Sequence, residues 1–331
     1  MKRKFLKTII VISLVAILTI IVYALNLKHA NNGAYQKVYN KQNLQAKKVT
    51  ANYPTNLMYT SLSYLYSINI NSKKVTTVSG YLGTGKSADS VVKIGDNEYA
   101  ISNESSTINI CSSQKCSQGN FVSSISGFYI NNQFYSFEGV GDLAFYNNEL
   151  YATDVLRGVI VKINISNFRA DAIVTGLNNP HGIYLYNNYL YINLENYPIS
   201  SNDCTLIKVS LNNINDISCD GNFGGYADGV GGYNNNIYLA RDYLNYSTGL
   251  YSTKVYTVSL DNLSSHLVVS IPNQYIDGVA FNSKQVFAVF RSANPDVPGK
   301  KYYTYEEGVY DITSGKPVLI VPGIFDGVSF Y

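Results

Sequence analysis

Apolar and polar residues alternate in short runs along most of the chain after residue 55, and small polar residues separate the runs. The segment 141–151 shows the pattern: an apolar run ends at Tyr146, Asn147 and Asn148 follow, and Leu150 and Tyr151 resume the apolar positions. Alternation of this kind predicts β-strands with one buried face. The Asn-Asn step predicts a tight turn, because both residues tolerate a positive φ.

This strand-turn-strand unit occurs six times, at intervals of 52, 40, 47, 49 and 49 residues. The copies begin at Asp89, Gly141, His181, Asp228, Asp277 and Asp326. A period of about 40 to 50 residues built from alternating strands is typical of a β-propeller. The pattern therefore predicts an all-β, six-bladed propeller with four strands a, b, c and d in each blade; an open β-sandwich with irregular repeats is the alternative.

The two ends of the propeller region complement each other. The sixth copy supplies only a strand a before Tyr331, whereas segments 56–61, 63–69 and 74–80 have the pattern of strands b, c and d without a strand a. We therefore expect both ends to complete one blade, because that pairing covers strand edges that would otherwise be exposed.

The first 55 residues have a different composition. A basic end is followed by a predominantly apolar run of 20 residues, 8–27, which is long enough to span a bilayer. The sequence thus predicts a transmembrane signal-anchor in 1–30, a polar tether in 31–55 and a propeller in 56–331. The basic flank places the propeller on the extracellular side of the cell membrane as a single-pass protein. If the run were a cleaved signal peptide, the protein would be secreted.

The net charge argues against a nucleic-acid partner. The formal charge is +3, but Lys2, Arg3, Lys4, Lys7 and Lys28 contribute five positive charges, which leaves −2 for the remainder. No basic patch of the kind that binds nucleic acid remains in the propeller region.

Four cysteines in an exported chain are expected to form disulfides. Cys204 and Cys219 fall on strands c and d of one predicted blade, and Cys111 and Cys116 would close a small loop between strands c and d of an earlier blade. Zinc is a weaker alternative, because a CxxxxC spacing without a nearby histidine is a poor ligand set.

Four N-x-S/T sequons, at Asn103, Asn164, Asn245 and Asn262, lie in predicted loops or at strand ends. Such positions predict surface glycosylation.

One face of the predicted propeller is more elaborate than the other. The b-to-c connections at 195–203, 242–252 and 292–302 are long, and one d-to-a connection contains an extra hairpin at 128–136. These connections share a face, and long loops on a rigid scaffold are where binding residues usually lie. Tyrosines suited to recognition are predicted on that face, namely Tyr197, Tyr226, Tyr243, Tyr246, Tyr275 and Tyr302.

The first residue of each strand a is predicted to line the axial channel at the same face. Asp89, His181, Asp228, Asp277 and Asp326 would form this ring, with Asp142 just behind it. Converging carboxylates repel one another, and a bound divalent cation such as Ca²⁺ would relieve the repulsion. The structural alternative is that Asp caps the turn and the following Gly permits close packing at the axis.

Segment 176–191 resembles an NHL-type repeat, and 227–230 is similar to the Asp-Gly step of SMP-30/gluconolactonase propellers. In that family a Glu, two Asn and an Asp hold a divalent metal. The resemblance implies that Asp228 corresponds to the Asp, whereas His181 and Gly141 stand in place of the Asn residues and Asp326 in place of the Glu. Two of the four ligands therefore differ from the family pattern.

Two functional hypotheses follow. The first is a membrane-tethered extracellular propeller that binds a partner protein or glycan through its loop-rich face. The alternative is a metal-dependent lactonase, hydrolase or lyase that acts on a small molecule, with His181 and Asp228 as candidate catalytic residues. A Ser-His-Asp or Cys-His hydrolase is disfavoured, because His181 is the one well-placed imidazole and the thiols are assigned to disulfides.

Overall fold

The computed structural model describes residues 56–61, 64–78, 90–102, 106–112, 121–194, 204–221, 223–233, 236–260, 264–282, 285–291, 303–323 and 328–330. Within these residues 26 strands form six sheets. The predicted membrane anchor and tether, residues 1–55, lie outside the described part. Over the described residues, the structure contains no helix long and apolar enough to span a bilayer.

The first thirteen strands are β1 (Asn56–Ser61), β2 (Tyr64–Asn69), β3 (Lys74–Thr77), β4 (Ser90–Gly95), β5 (Glu98–Ser102), β6 (Ile108–Ser112), β7 (Ser123–Ile125), β8 (Gly127–Ile130), β9 (Gln133–Ser136), β10 (Val140–Tyr146), β11 (Glu149–Asp154), β12 (Val159–Asn164) and β13 (Arg169–Val174). The remaining strands are β14 (Pro180–Tyr186), β15 (Tyr189–Leu194), β16 (Leu206–Ser210), β17 (Asn213–Gly221), β18 (Tyr226–Tyr233), β19 (Asn236–Asn245), β20 (Leu250–Ser259), β21 (Ser265–Ile271), β22 (Tyr275–Phe281), β23 (Val286–Arg291), β24 (Gly308–Asp311), β25 (Val318–Pro322) and β26 (Val328–Phe330).

The sheets are the six blades of a propeller. Blade 1 has the order β26-β1-β2-β3, and blade 2 is β4-β5-β6-β7. Blade 3 is β10-β11-β12-β13, blade 4 is β14 to β17, blade 5 is β18 to β21 and blade 6 is β22 to β25. The innermost strands contact one another in the order β4, β10, β14, β18, β22, β26 and back to β4, so the ring is closed. The predicted six-bladed, four-stranded architecture is confirmed.

The predicted joining of the two ends is also confirmed. In blade 1, β26 pairs antiparallel with β1, and Leu57 lies opposite Phe330. The strand that comes latest in the chain thus supplies the innermost strand of the blade that comes first. Because β1 is paired on both sides, the joint leaves no open edge inside the ring.

The Asn-Asn turns have the predicted conformation. Asn147 and Asn148 have φ values of 50° and 63°, and Asn187 and Asn188 have 48° and 63°. Two successive residues with positive φ form the type of turn whose twist matches that of the flanking strands. The turns therefore set the pairing register of strands a and b in blades 3 and 4.

The hydrophobic core lies between neighbouring blades. Tyr151 and Ile160 of blade 3 pack with Ile183 and Leu190 of blade 4. In the same way, Ala240 of blade 5 packs with residues of blade 6 such as Ile276 and Phe290. Since each blade buries its faces against two neighbours, the blades stabilise one another around the ring.

Blade 3 carries the predicted extra hairpin, formed by β8 and β9. The hairpin lies between β7 and β10 in the chain, and it packs on the outer edge of β13, where Tyr129 pairs with Asp171 in parallel. The sheet of blade 3 consequently has six strands.

The inner strands start at what we call the upper face, the side on which Ser90, Val140, Pro180, Tyr226 and Tyr275 lie. Close to that side, the β-ladders of β10, β14, β18 and β22 each show a register shift. The shifts in β14 and β18 coincide with His181-Gly182 and Asp228-Gly229. A Cβ on Gly182 would lie 2.7 Å from the backbone oxygen of Asp228 in the next blade. Glycine is required there because neighbouring inner strands approach each other so closely.

Candidate functional site

The upper end of the axial channel opens into a cavity of about 240 Å³. Its polar lining consists of Ser90, Asp142, His181 and Asp277, and glycines and apolar residues such as Phe145 and Phe281 form the rest. The predicted ring residues His181 and Asp277 therefore share one cavity. Asp228 is almost completely buried, with 5 % of its surface exposed, and does not line the cavity. Asp89 and Asp326 lie outside the described residues.

Asp277 is part of an ion-pair network within blade 6. Its Oδ2 lies 3.0 Å from Nε of Arg291, and Nη1 of Arg291 lies 3.4 Å from Oε1 of Glu307. The Arg291 guanidinium thus compensates the charge of Asp277. A carboxylate held in this way is less available to a metal ion than the sequence pattern suggested.

Asp228 has a second carboxyl as its neighbour. Asp242 lies on β19, opposite the first residue of β18. It is fully buried and hydrogen-bonds the Asp228 side chain. Asp242 also accepts a hydrogen bond from Thr253 on β20, and the Thr253 hydroxyl lies 2.9 Å from the carbonyl oxygen of Gln274. The Asp242 carboxyl also accepts a hydrogen bond from the backbone N–H of Ile276. Burial raises the pKa of Asp242 to about 6, while its hydrogen bonds and the nearby Arg241 lower it.

A buried guanidinium lies beside the carboxyl pair. Arg241 is 0 % exposed, and four of its hydrogen bonds go to uncharged acceptors. Nε donates to the Gly224 carbonyl at 2.7 Å, Nη2 to the Gly225 carbonyl at 2.5 Å, and Nη1 to the Leu194 carbonyl at 2.9 Å and to Asn193 Oδ1 at 2.7 Å. Because these acceptors carry no charge, the nearby carboxyl pair supplies the compensating negative charge.

Asn193 links blade 4 to this cluster. It is fully buried, and its Nδ2 donates to the backbone oxygens of Asp228 at 3.0 Å and of Ala240 at 3.3 Å. Its Oδ1 accepts from Arg241. The amide therefore fixes the start of β18 and the middle of β19 relative to β15, and thereby positions the Asp228 backbone at the channel.

Asp142 occupies the position that holds glycine in β14, β18 and β22 and Ser90 in β4. Burial raises the pKa of its carboxyl to about 6, while the nearby His181 and hydrogen bonds from Ser90 and Ile183 lower it. Gly141, before it, has no room for a side chain, because a Cβ would lie 2.8 Å from Thr153 Oγ1. In blade 3 the order of glycine and acid is thus reversed.

The described part of the ring does not fit the divalent cation that the resemblance implies. Asp277 is paired with Arg291, Asp228 with Asp242, and Gly141 carries no ligand. Over the described residues, no three His, Cys, Asp or Glu side chains come together in an arrangement that could hold a metal ion. Metal binding by His181, Asp228 and Asp277 together with Asp89 and Asp326 remains a prediction that the described residues alone do not support.

Among the described residues, blade 5 carries the longest extension of the upper face. β19 and β20 have ten residues each, and the turn between them is limited to 246–249. The sequence pattern placed a loop at 242–252; in the structure most of that segment is strand, because the alternation of apolar and polar positions continues through it. Tyr226, where β18 begins, pairs with Asp242. Residues 243–252 therefore extend about 10 Å past the start of β18; the lower part of this extension packs on neighbouring residues, because Tyr251 is buried and Ser252 pairs with Gln274.

The predicted tyrosines divide between this extended hairpin and the base beneath it. Tyr246 is 77 % exposed at its tip. Tyr226, Tyr251 and Tyr275 form a chain of ring contacts, with centroid distances of 5.6 and 5.1 Å. The Tyr243 hydroxyl donates to the Phe223 carbonyl at 2.6 Å. Tyr197 and Tyr302 lie outside the described residues, as do the connections 195–203 and 292–302.

The cysteine and sequon predictions are tested in part. Cys204 and Cys219 form a disulfide, as predicted. Cys111 is also disulfide-bonded, whereas Cys116 lies outside the described residues. Asn164 ends β12 and Asn245 ends β19, where Asn245 is exposed. Asn103 and Asn262 lie outside the described part, and glycosylation of all four stays a prediction.

Sequence reasoning missed Arg241, Asp242 and Asn193. Each lies on a strand b, in a segment that has the pattern of an ordinary strand, and Asp242 stood at the start of a predicted loop. The one available signal was the pair of adjacent charged residues, Arg241 and Asp242, directly after the apolar run of the strand.

The comparisons with known proteins support the fold. No protein-family model matches the chain, and no curated protein matches it. A propeller in the crystal structure of a nidogen/laminin complex is similar with a TM-score of 0.57 at 11 % identity, and the match covers 83 % of this chain and 97 % of that one. The WD40 repeats of RRP9 match with a TM-score of 0.48 at 10 % identity, over 75 % of this chain and 73 % of theirs. At 11 % identity the likeness to the nidogen/laminin propeller concerns the fold alone.

Proposed function

We propose that this protein is a binding module that engages a protein partner through its upper face, with the β19–β20 hairpin as the main contact element. The observation that carries the proposal is the length of this hairpin. It projects from the blade with Tyr246 at its tip, and its base is held by the Tyr226–Tyr251–Tyr275 contacts. Tyrosine is favoured at recognition surfaces because it combines a rigid apolar ring with a hydrogen-bonding tip.

The electrostatics of the channel mouth supports a recognition role. Arg241 compensates the Asp228–Asp242 pair, and Arg291 compensates Asp277. These groups stabilise one another inside the fold and hold the upper face in a fixed shape. A rigid surface loses little conformational entropy on binding, which favours affinity.

The class of partner is part of the proposal. The nidogen/laminin structure contains a propeller of the same fold in a complex between proteins, which supports a protein partner over a glycan. A glycan would be an alternative occupant of the tyrosine-bearing hairpin.

We further propose that the propeller lies on the extracellular side of the cell membrane, tethered through the apolar segment 8–27. The Cys204–Cys219 disulfide and the disulfide-bonded Cys111 support an oxidising compartment. Glycosylation at the four sequons belongs to the same proposal.

Site-specific photo-crosslinking tests the proposed binding face. A photoreactive phenylalanine analogue replaces Tyr246 in the full-length chain, and crosslinking is done in the cells that express the protein. The matched control carries the analogue at Leu267 on β21, which is 53 % exposed. We expect a discrete protein adduct from position 246 and none from 267. An adduct whose added mass is that of a glycan would show that the partner is a glycan and not a protein. Equal labelling at both positions, or no labelling at either, would contradict the proposal.

The metal-dependent lactonase or hydrolase is the second candidate, and it has less support. The axial cavity with His181, Asp142 and Asp277 favours it, while the pairing of Asp228 and Asp277 with other side chains opposes it. Metal analysis of the full chain, with melting curves in Ca²⁺ and in chelator, distinguishes the two candidates. A stoichiometric ion that is lost in Asp228→Asn would favour the enzyme.

A further inference from the structure

We propose that a second pocket on the upper face, between blades 3 and 4, receives one apolar side chain of the protein partner that is flanked by a lysine or arginine. The inference rests on the proposed function, because it assumes that a protein docks on this face. It adds an anchor point two blades away from the β19–β20 hairpin.

The pocket is a separate concavity of about 220 Å³. It is lined by Glu138, Gly139, Val140, Gly141, Val155, Leu156 and His181. His181 also lines the axial cavity, so this residue lies between the two spaces. The pocket exists because the strand b-to-c connection of blade 3 is a four-residue turn, 155–158, whereas blade 5 extends upward at the same position.

The pocket offers mainly apolar contacts. Val140 and Val155 form part of the wall, and the two glycines leave the floor without side chains. Leu156 is 67 % exposed at the rim, the largest exposure among the aliphatic side chains of the described residues. An exposed apolar side chain next to a concave apolar wall is the usual setting for an anchor residue of a partner.

The walls are held in place without a ligand. The buried Asp154 carboxylate accepts hydrogen bonds from the backbone N–H groups of Glu138 at 3.0 Å, Gly139 at 3.2 Å and Arg157 at 3.2 Å. The Val155 N–H donates to the Gly139 carbonyl at 2.7 Å. Both segments that line the pocket are therefore tied to one buried side chain. A preformed pocket avoids the entropy loss that ordering a loop would require.

The charge at the pocket rim determines which kind of side chain can flank the apolar residue of the partner. Oε1 of Glu138 lies 2.7 Å from Nη2 of Arg157, and the Glu138 side chain is 50 % exposed, compared with 28 % for Arg157. The Arg157 guanidinium is further engaged, because Nε donates to the Ser136 carbonyl at 2.7 Å and the group lies over the Tyr135 ring. The carboxylate is thus the more accessible charge. A partner that places a cation beside its apolar anchor has the complementary charge.

Peptide selection tests this inference directly. A random peptide library is selected on the immobilised full-length chain, and the selected peptides are compared on Glu138→Lys, Leu156→Ser, Tyr246→Ser and Glu98→Lys; a parallel selection uses Glu138→Lys. Glu98 is an exposed carboxylate at the start of β5, on the opposite side of the propeller, and provides the matched charge control. Melting curves first establish that each variant is folded, and a variant that fails to fold is replaced by Leu156→Ala or Glu138→Gln.

We expect selected peptides with an apolar residue next to a lysine or arginine. Their affinity should fall about tenfold in Glu138→Lys, since a like charge then faces the cation, and should also fall in Leu156→Ser while staying unchanged in Glu98→Lys. Peptides selected on Glu138→Lys should carry an acidic residue, in place of lysine or arginine, beside the apolar residue. Failure to select peptides, or binding indifferent to both pocket variants, would overturn the inference. Peptides that depend on Tyr246 and not on Leu156 would also overturn it while leaving the proposed function intact.

Discussion

Arg241 of blade 5 donates a 2.7 Å hydrogen bond from Nη1 to Oδ1 of Asn193 in blade 4, across 48 residues of sequence. The same amide donates to the Asp228 backbone, and the same guanidinium lies beside the Asp228–Asp242 carboxyls. Two neighbouring blades and the upper end of the channel are thereby joined by buried polar contacts. Removing one partner would leave the other groups buried without their hydrogen bonds.

Arg241→Met should destabilise the propeller strongly. The variant removes four buried hydrogen bonds and the charge that compensates the carboxyl pair, so we expect a loss of about 3–5 kcal/mol in the free energy of unfolding. Urea denaturation at constant pH measures the loss. Arg169→Met is the control, because Arg169 forms an exposed pair with Asp171 and should leave the midpoint unchanged. Equal midpoints for the two variants would show that Arg241 has no special role.

Asp242→Asn should change the pH dependence of stability. Burial raises the pKa of Asp242 to about 6, whereas an aspartate in the unfolded chain ionises near pH 3.9. The folded state therefore binds the proton more tightly. The stabilisation is complete below about pH 4 and is lost as the pH rises through 6.

The test of this effect is the difference in unfolding free energy between wild type and Asp242→Asn at pH 4, 5, 6 and 7. We expect the variant to gain about 1–3 kcal/mol relative to the wild type over that range. A difference that does not vary with pH would mean that Asp242 is ionised throughout.

Gly229→Ala should disturb the packing at the axis. A Cβ at this position would lie 2.5 Å from Val279 Cγ2 and 2.9 Å from the Val279 backbone nitrogen. Because backbone in the neighbouring blade would have to shift, we expect a loss of about 1–3 kcal/mol. Gly95→Ala is the control, since its nearest neighbour is the end of the Glu98 side chain at 3.2 Å. Thermal melting of both variants should show a lower midpoint for Gly229→Ala alone.

The Cys204–Cys219 disulfide should contribute to stability through the loop it closes. The sequence separation is 15 residues, for which loop-closure entropy gives about 3 kcal/mol. The double variant Cys204→Ala/Cys219→Ala, followed by urea denaturation, measures this contribution without reducing the other disulfide. Addition of a reductant to the variant then reports the contribution of the Cys111 disulfide. An unchanged midpoint in the double variant would show that the hairpin of β16 and β17 holds the loop closed by itself.

The fold was predictable because each blade repeats the same local pattern. Asn147-Asn148 and Asn187-Asn188 mark tight turns, and the spacing between copies defines the blades. The missing strand a of the first blade matched the unpaired strand a at Asp326, and β26 occupies that place in the structure. These features are local in sequence or follow from the spacing of the repeats, and both can be identified without knowledge of the packing.

The candidate site was predictable only in its location. Asp228 and Asp277 do lie at the channel end of their strands, but their partners come from other strands. Arg291 lies on strand b of blade 6, and Asp242 on strand b of blade 5. A repeat pattern identifies equivalent positions in the blades, whereas the contact between two unlike side chains depends on packing distances and burial that the pattern does not contain.

The pairing of β1 with β26 has a consequence for the order of events during synthesis. Leu57 acquires its partner Phe330 only after 273 further residues have been made. Until then blade 1 lacks its inner strand, and the incomplete ring exposes unpaired strand edges. Bringing such distant segments together is slow. Aggregation through these unpaired strand edges is therefore least restrained during synthesis, before β26 pairs with β1.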